Sequence, residues 1–388
     1  MLAQRLKQLR LARGWSLDEL SDSLEGLITK QALSKYEKGL SQPSMKVVTK
    51  IAELFGVKAA HLFAEPTLHI QPIAYRKCAS LPKRDEYMVE GMVAQELEER
   101  VSLQEKVGEP FPLNLPRQKY RVASMDDAEL AANNLRKHWE LGNSPISSVV
   151  GLLEDQFIHV FTIPTASEKF DGISAEATDD SGKLIAVAVV SSANVPGERQ
   201  RFSLMHEVGH LVLEFEGAVD EEKAAHRFAG AFLAPAEQVR REIGEQRTTV
   251  QLRELFMLKR RFGISAQALA FRLRDLGIIN DSSYRWLCIQ FNKNGMRKNE
   301  PEPLPQEEPQ WLKRTVLRAF SEGLITAGDA GRLTGESYES EHNDIIDRRA
   351  FMKLSAAERS KVLRDQAEHL KEHYGKMENL GGGDFLDY

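Results

Sequence analysis

Cysteine is almost absent from this sequence of 388 residues, in which Cys78 and Cys288 are the only two and lie far apart. Such a pair excludes a disulfide framework and a cysteine-rich zinc site, and it fits a reducing compartment. Long apolar runs are also missing, since none approaches the roughly 18 residues that cross a bilayer. The basic N-terminal stretch lacks the continuous apolar core of a secretory signal. The sequence therefore predicts a cytoplasmic protein with no membrane partner.

Charges of both signs are plentiful, but they are unevenly distributed. Residues 1–63 carry ten Lys and Arg against six Asp and Glu, whereas residues 301–388 carry twelve against seventeen. The two ends therefore favour different partners, and the basic front end is compatible with nucleic acid. A chain of 388 residues is longer than a single hydrophobic core usually accommodates, so two or three domains are expected.

Residues 1–65 are predicted to form a bundle of five short helices, because apolar residues recur there at helical spacing. Ser16 and Thr29 are residue types that cap helix N-termini, and each is followed by a polar or acidic turn. Glycines stand where the predicted helices end, at Gly14, Gly39 and Gly56. This first domain is therefore expected to be all-helical.

The central residues 120–292 are predicted to form an α+β domain. The helix MDDAELAANNLRKHWELG precedes two short segments, FIHVFTI and KLIAVAVVS, whose β-branched residues favour strands. Further helices follow, and the segment YRWLCIQF near the end is predicted to be another strand.

The remaining segments are expected to connect or extend these two domains. Residues 66–119 are predicted to be a helical linker region, and the Pro- and Glu-rich residues 293–310 a second linker. Residues 311–388 are predicted to be an acidic helical tail that begins with a pair of helices. The fold class is thus mostly α, with one α+β domain.

The stretch RFSLMHEVGHLVL, residues 201–213, places two histidines four residues apart in an otherwise apolar helix. That spacing puts His206 and His210 on one helical face, where both rings can reach one ion, and Glu207 stands beside them. Burying three polar groups needs a compensating partner. The pattern therefore indicates a metal site, with a structural histidine pair as the alternative.

A catalytic zinc site needs a third protein ligand and one open position. A third histidine in the pattern HExxHxxGxxH is excluded, because Leu213 and Glu216 hold the required positions. Glu214 lies about one turn past His210 and would approach from the wrong side. A ligand from a second helix fits better, and EEKAAHRFAGAFLAP offers acids together with small residues that permit close helix approach.

Several motifs together resemble the ImmA/IrrE type of metallo-endopeptidase over about residues 120–290. They are HEVGH, the downstream ExxAxxFAxxFLxP, and the upstream FDGISA and KLIAVAVVSSANVPGERQRFSLMHE. The resemblance implies a zinc-dependent endopeptidase with one Zn²⁺ per chain, Mn²⁺ being the alternative metal. It implies that Glu207 is the general base and that the metal ligands are His206, His210 and Glu222, with Glu221 the next candidate for the third.

Two further expectations concern the surroundings of this site. His226 stands one turn after Glu222, where the family often has asparagine; it either supports a ligand or the transition state by hydrogen bonding, or is a surface histidine. A peptide substrate is expected to add as an extra strand along residues 184–191, so that backbone pairing holds the scissile bond near the metal. The substrate is expected to be a repressor or an antitoxin-like protein.

The segment SLDELSDSLEGLITKQALSKYEKGLSQPS resembles the helix-turn-helix of the Cro/phage-repressor class, whose second helix enters the major groove. Its turn is about two residues longer than the commonest form. The resemblance implies a double-stranded DNA operator bound by a homodimer; a module that contacts only proteins is the alternative. Core-type positions are Leu20, Leu24, Leu33 and Tyr36. The residues expected to face DNA are Thr29, Lys30, Gln31, Ser34, Lys35 and Lys38.

The last forty or so residues resemble short segments found in antitoxin proteins, which implies a toxin partner anchored by Phe385 and Tyr388. A solvated oligomerisation helix is the alternative. The leading hypothesis is a DNA-binding transcriptional regulator that is also a zinc-dependent endopeptidase, in a toxin-antitoxin, mobile-element or stress-response system. The competing hypothesis is a non-enzymatic repressor or antitoxin with a structural metal site. Glu207 favours catalysis, because a structural site has no use for a base beside its ligands.

Overall fold

The computed structural model describes residues 2–63, 68–73, 81–108, 112–164, 170–297, 299–338, 351, 354–361 and 363–364. Most of the predicted partner-binding segment over 345–388, including Phe385 and Tyr388, lies outside these residues. The described part is mostly helical with a small sheet, which is the predicted class. In that part, no helix is both long and apolar enough to cross a membrane.

The N-terminal bundle forms as predicted, with four α-helices and a closing 3-10 turn at Ala59–Leu62. The Ser16 hydroxyl accepts from the Glu19 N–H, and the Glu19 carboxylate accepts from the Ser16 N–H, so a capping box starts the second helix. The Thr29 hydroxyl caps the third helix through the Ala32 N–H. The α-helices are α1 (Leu2–Ala12), α2 (Leu17–Ser23), α3 (Lys30–Glu37) and α4 (Met45–Phe55).

The long turn between α2 and α3 is anchored in the core of the bundle. Ile28 is buried in the same cluster as Leu20, Leu24 and Leu33, and its carbonyl accepts a 2.6 Å hydrogen bond from the Ser21 hydroxyl. The three leucines are buried as predicted, whereas Tyr36 is only partly buried. The additional turn residues therefore do not leave α3 loose.

Beyond residue 68, the described residues form short strands interspersed with helices as far as residue 215, and helices alone from there to residue 334. In chain order the elements are β1 (His69–Pro72), α5 (Lys83–Val107), β2 (Tyr120–Val122), α6 (Met125–His138), α7 (Val149–Asp155), β3 (His159–Ile163), β4 (Gly172–Thr178), β5 (Leu184–Ser192), α8 (Gly197–Val212), β6 (Leu213–Phe215), α9 (Glu221–Leu233), α10 (Ala236–Ile243), α11 (Leu252–Phe262), α12 (Ala266–Asp275), α13 (Asp281–Lys293), α14 (Trp311–Ser321) and α15 (Ala327–Thr334). The two predicted strands FIHVFTI and KLIAVAVVS are confirmed as β3 and β5.

A four-stranded mixed sheet in the order β1-β4-β5-β3 forms the middle layer. β1 and β5 run antiparallel to β4, and β3 runs parallel to β5. Side chains alternate between the faces: Ala188 and Val190 of β5 join one core, whereas Val187 and Val189 join another. Both faces are apolar, so helices must cover each of them.

Helix α5 covers one face of this sheet. Its Val89, Val93, Leu97 and Val101 are buried against Phe161 and the other side chains of that face. Both α5 and β1 fall within residues 66–119, which the sequence analysis treats as a linker region. In the structure, β1 is an edge strand of the sheet and α5 is one of its covering layers.

The opposite face carries α8 and the helices that surround it. Val187 and Val189 share one core with Leu204 and Val208 of α8 and with the apolar faces of α6, α7 and α9. A short parallel ladder of β2 and β6 ties the residues before α6 to those directly after α8. The middle of the chain is therefore a three-layer unit, with the sheet between α5 and the α8 group.

The predicted strand YRWLCIQF is wrong, because these residues form part of α13. The Asn280 side chain accepts from the Ser283 N–H and caps this helix. Leu287 and Phe291 are its buried residues, and their spacing of four is helical rather than alternating. The β-branched and aromatic content of the segment misled the prediction, since packing overrides such propensities.

The predicted second linker is docked along the helices over residues 299–310, here called the strap. The Gly197 N–H donates to the Leu304 carbonyl at 2.9 Å. The side-chain amide of the buried Gln200 donates to the Glu307 carbonyl and accepts from the Glu307 N–H. This is the pair of hydrogen bonds that a neighbouring β-strand would make. The strap therefore runs across the start of α8 in a fixed position.

Buried ion pairs also hold the strap. The Lys259 ammonium, 1% exposed, lies 2.6 Å from Glu198 of α8 and 3.2 Å from Glu300 of the strap. Arg201 of α8 pairs with Glu307. A buried ammonium needs such partners, because an unpaired buried charge is strongly unfavourable. Glu300 and Glu307 are among the Glu residues for which residues 293–310 were predicted to be a polar linker.

The strap leads to α14 and α15, which pack on the C-terminal part of α5. Leu103 of α5 shares a small core with Trp311, Val316 and Ala319. Two exposed ion pairs extend this contact, Arg332 with Glu99 of α5 at 2.8 Å and Asp329 with Lys58 of the N-terminal bundle at 3.0 Å. The helix pair therefore touches both α5 and the N-terminal bundle.

The tight docking of the strap can be tested at Gly197, where a Cβ would lie 2.0 Å from the Pro305 carbonyl oxygen. Gly197→Val is expected to displace the strap and to lower the free energy of unfolding by roughly 1–3 kcal/mol. Limited proteolysis should then cut residues 299–310 faster than in the wild type. Gly328→Ala in α15, where a Cβ has room, is the control. Unchanged protease sensitivity of Gly197→Val would contradict this docking.

Candidate metal centre

Helix α8 is buried on nearly all sides, and its polar residues are buried with it. Its apolar residues, such as Leu204, Met205 and Val208, pack into the main core. His206 is 1% exposed, Glu207 is fully buried and His210 is 7% exposed. Since buried polar groups are unfavourable without partners, neighbouring elements must supply them.

Helix α9 supplies one partner by crossing α8 at close range. A Cβ at Gly209 would lie 3.2 Å from the Phe228 ring and 3.5 Å from Ala225, so the crossing leaves room for little more than hydrogen. The small residues predicted to permit close approach on α9 therefore meet a glycine on α8. This crossing brings the start of α9, and with it Glu222, opposite the two histidines.

Donor atoms of His206, His210 and Glu222 lie within 4.8 Å of one another, which is close enough for the three side chains to hold one metal ion together. The two Nε2 atoms are 3.1 Å apart, and each lies 3.4 Å from a Glu222 carboxylate oxygen. A tetrahedral site with bonds of about 2.1 Å separates neighbouring donors by about 3.4 Å. The three side chains therefore fit a zinc-type ion. Glu221, the other candidate, is not in this group.

Glu207 lies against the sheet beside this group. The Ser174 hydroxyl of β4 donates to its Oε2 at 3.2 Å. A Cβ at Gly172 would meet the Val190 carbonyl oxygen at 2.8 Å and the Glu207 Cγ at 3.2 Å. Gly172 and Ser174 thus contact Glu207 and fix its position. The sequence motif FDGISA contains both residues, but neither was predicted to belong to the site.

His226 lies beside the metal-ligating group. Its ring centroid is 4.3 Å from that of His206 and 5.7 Å from that of Phe202. Its Nδ1–H donates to the Glu222 carbonyl at 2.7 Å, which directs Nε2 away from α9. The ring is exposed. The His226 ring therefore lies against His206 while remaining exposed.

The expected pairing of substrate with β5, predicted over residues 184–191, is wrong from Ala188 to Ser191. β4 pairs with β5 along its length, and β3 pairs with it from Ala188 to Ser192. The part of β5 close to Gly172 and Glu207 is therefore internal and has no free edge. The sequence could not indicate this, because strand order is decided by tertiary pairing.

An ion network fixes α9. Arg227 lies 2.8 Å from both Glu129 of α6 and Asp275 of α12, and Arg272 lies 2.5 Å from Glu129. Burial alone would raise the pKa of Glu129, but the two guanidinium groups lower it below its usual value, so it stays ionised. The helix that carries Glu222 is thereby locked to its neighbours.

The six residues expected to face DNA lie at the start and along the outer side of α3. Five are exposed and Ser34 is half-buried. Two already have partners in the bundle: the Thr29 hydroxyl caps α3, and the Lys30 ammonium lies 2.5 Å from Asp18 of α2. Gln31, Lys35 and Lys38 present their side chains to solvent.

Comparison with known proteins finds matches to both parts of the chain. Residues 6–62 match a helix-turn-helix family, and residues 153–274 match the M78 peptidase family described as the IrrE N-terminal-like domain. The chain combines a Cro/CI-type helix-turn-helix domain with an IrrE N-terminal-like domain. The helices that carry His206, His210 and Glu222, α8 and α9, both lie inside the IrrE-like match.

The helix-turn-helix domain is similar to the SPbeta prophage-derived uncharacterized HTH-type transcriptional regulator YonR of Bacillus subtilis (strain 168). The two are 37% identical over 62 residues, which is 16% of this chain and 56% of that protein. The chain thus spans little more than half the length of this relative.

The ligand assignment can be tested by metal analysis of purified variants. His206→Ala and His210→Ala are expected to lose the bound zinc, because each removes one of three donors. Glu222→Ala should weaken binding by more than the roughly 10- to 100-fold typical of residues that only support a ligand. Glu207→Gln and Glu221→Ala should keep one ion per chain. Full occupancy in Glu222→Ala with loss in Glu221→Ala would reassign the third ligand.

Proposed function

We propose that this protein is a cytoplasmic transcriptional regulator that binds operator DNA as a homodimer and is also a zinc-dependent endopeptidase. Its substrate is a regulatory protein, such as a repressor or an antitoxin-like protein. The observation that carries the peptidase proposal is the meeting of His206, His210 and Glu222 with the buried Glu207 beside them.

The side chains of this centre have distinct roles in the proposed reaction. His206, His210 and Glu222 hold the metal, which when bound supplies Lewis-acid polarisation of a carbonyl and acidification of water. The Glu207 carboxylate accepts the proton of the attacking water at one oxygen and passes it to the leaving nitrogen. The Ser174 hydroxyl, 3.2 Å from Oε2, orients that carboxylate.

A structural metal site in a non-enzymatic regulator is the second candidate. Two features favour catalysis over it. A structural site is closed by four protein ligands, whereas the described group has three, and the Glu222 side chain is 41% exposed. A buried carboxylate next to the ligands also has no purpose in a structural site.

A toxin-antitoxin, mobile-element or stress-response system is the proposed setting. The similarity of the helix-turn-helix domain to a regulator named as prophage-derived supports a mobile element. A toxin partner for residues 345–388 remains a proposal that is based on the resemblance of the tail to antitoxin segments.

Proteolysis can be tested by incubating the zinc-loaded chain with the products of its neighbouring genes. Glu207→Gln is expected to keep its zinc but to slow cleavage by about 10²- to 10⁴-fold, because only the base is removed. Glu221→Gln is the matched control, since it makes the same chemical change one residue before Glu222 and should leave cleavage unchanged. Equal cleavage by wild type and Glu207→Gln would eliminate the proposed base.

DNA reading can be tested with duplexes selected from a random-sequence library by the wild-type chain. Gln31→Ala should relax preference at one base pair and cost about 1–3 kcal/mol, since glutamine can pair with adenine in the major groove. Lys35→Ala should instead weaken binding to all sequences alike. A two-fold symmetric selected sequence is expected of a dimer. Recovery of unselective sequences would favour the protein-interaction alternative.

A further inference from the structure

The first turn of α5 lies directly beside the DNA-reading unit. The Arg84 guanidinium donates through Nε to the Gly14 carbonyl at 2.6 Å, in the loop between α1 and α2. Its terminal nitrogen lies 3.0 Å from Glu19 in the first turn of α2. The neighbouring Lys83 is exposed, as is the Arg84 side chain at 64%. Arg84 thus lies at the start of α2, and the exposed Lys83 is its neighbour in the chain.

A line of charges connects this position to the recognition helix. Lys30, the first residue of α3, lies 2.5 Å from Asp18, and Asp18 precedes Glu19 in the same turn of α2. Arg84 follows on the other side of Glu19. Arg84 of α5 therefore lies at the same end of the helix pair as the residues that start the recognition helix.

The contact between α5 and the helix-turn-helix domain is close and specific. A Cβ at Gly91 of α5 would lie 2.9 Å from the backbone of Ala12, so α1 and α5 cross with almost no space between them. The mostly buried pair of Arg5 and Glu98 makes two hydrogen bonds of 2.5 Å across the same interface. The first turn of α5 is thereby held in a set position relative to α3.

We propose that Lys83 and Arg84 contact the phosphate backbone of the operator, so that the DNA interface extends beyond the helix-turn-helix domain onto α5. In this docking mode the recognition helix reads bases with its N-terminal residues, while the preceding helix crosses the backbone. α2 is that preceding helix, and Arg84 lies at its first turn. This inference rests on DNA reading by the helix-turn-helix domain and adds a second element to it.

The acidic partners of these cations do not block such a contact. The pairs Lys30–Asp18 and Arg84–Glu19 are exposed on both sides, and exposed ion pairs contribute little stability. A phosphate accepts two parallel hydrogen bonds from a guanidinium, so it competes well for Arg84. The capping box keeps Glu19 in place when Arg84 turns towards DNA.

Salt dependence of binding by the full-length chain separates this role from a structural one. The probe is a duplex that the wild-type chain selects from a random-sequence library, titrated between 50 and 200 mM salt. Lys83→Ala and Arg84→Ala should each lower affinity roughly threefold to tenfold and reduce the slope of log K against log salt by about one. Base preference should not change, because phosphates carry no sequence information. Arg84→Lys should retain the wild-type slope.

Arg121→Ala on β2 is the matched control, since Arg121 is an exposed, ion-paired arginine outside the helix-turn-helix domain and α5. It should leave both affinity and slope unchanged. If Lys83→Ala and Arg84→Ala keep the wild-type slope, the proposal fails, and loss of affinity alone would mean that Arg84 only docks the domain. If the wild-type chain selects no duplex, DNA reading itself fails, and this inference fails with it.

Discussion

Burial of polar groups on α8 is the constraint on which the rest of the central unit depends. His206, Glu207 and His210 are removed from water almost completely, which is unfavourable unless other groups meet them. β4 meets Glu207 with a hydroxyl, and α9 brings a carboxylate within 3.4 Å of both imidazoles. Both contacts require very close approach. Gly172 and Gly209 stand at the two points where a larger side chain would prevent it.

The four-stranded sheet lies between the candidate metal centre and helix α5, on which the helix-turn-helix domain packs. α8 packs on one face of the sheet, and α5 packs on the other. The helix-turn-helix domain docks on α5 through the Arg5–Glu98 pair and the close crossing at Gly91. A continuous series of packed elements therefore connects α3 to α8.

The strap adds a second connection between these elements. Its carboxylates pair with Lys259 and Arg201 and so hold the beginning of α8. The strap is followed by α14 and α15, which pack on α5. Asp329 of α15 forms an ion pair with Lys58 of the helix-turn-helix domain. The start of α8 and the N-terminal domain are thus linked twice, once through the sheet and once through the strap.

Local residue spacing is enough to predict several features of this protein. The HExxH pair, the helix caps at Ser16 and Thr29, and the strands β3 and β5 were predictable, because helical and strand periodicity and capping are properties of neighbouring residues. Tertiary structure alone decided which distant groups meet. Three features are of this kind: the contacts of Ser174 and Gly172 with Glu207, the internal position of β5, and the docking of the strap. They depend on strand order and on packing between helices that are distant in sequence. Such contacts are decided by the packing of the whole core, so the local pattern of residues in the sequence does not predict them.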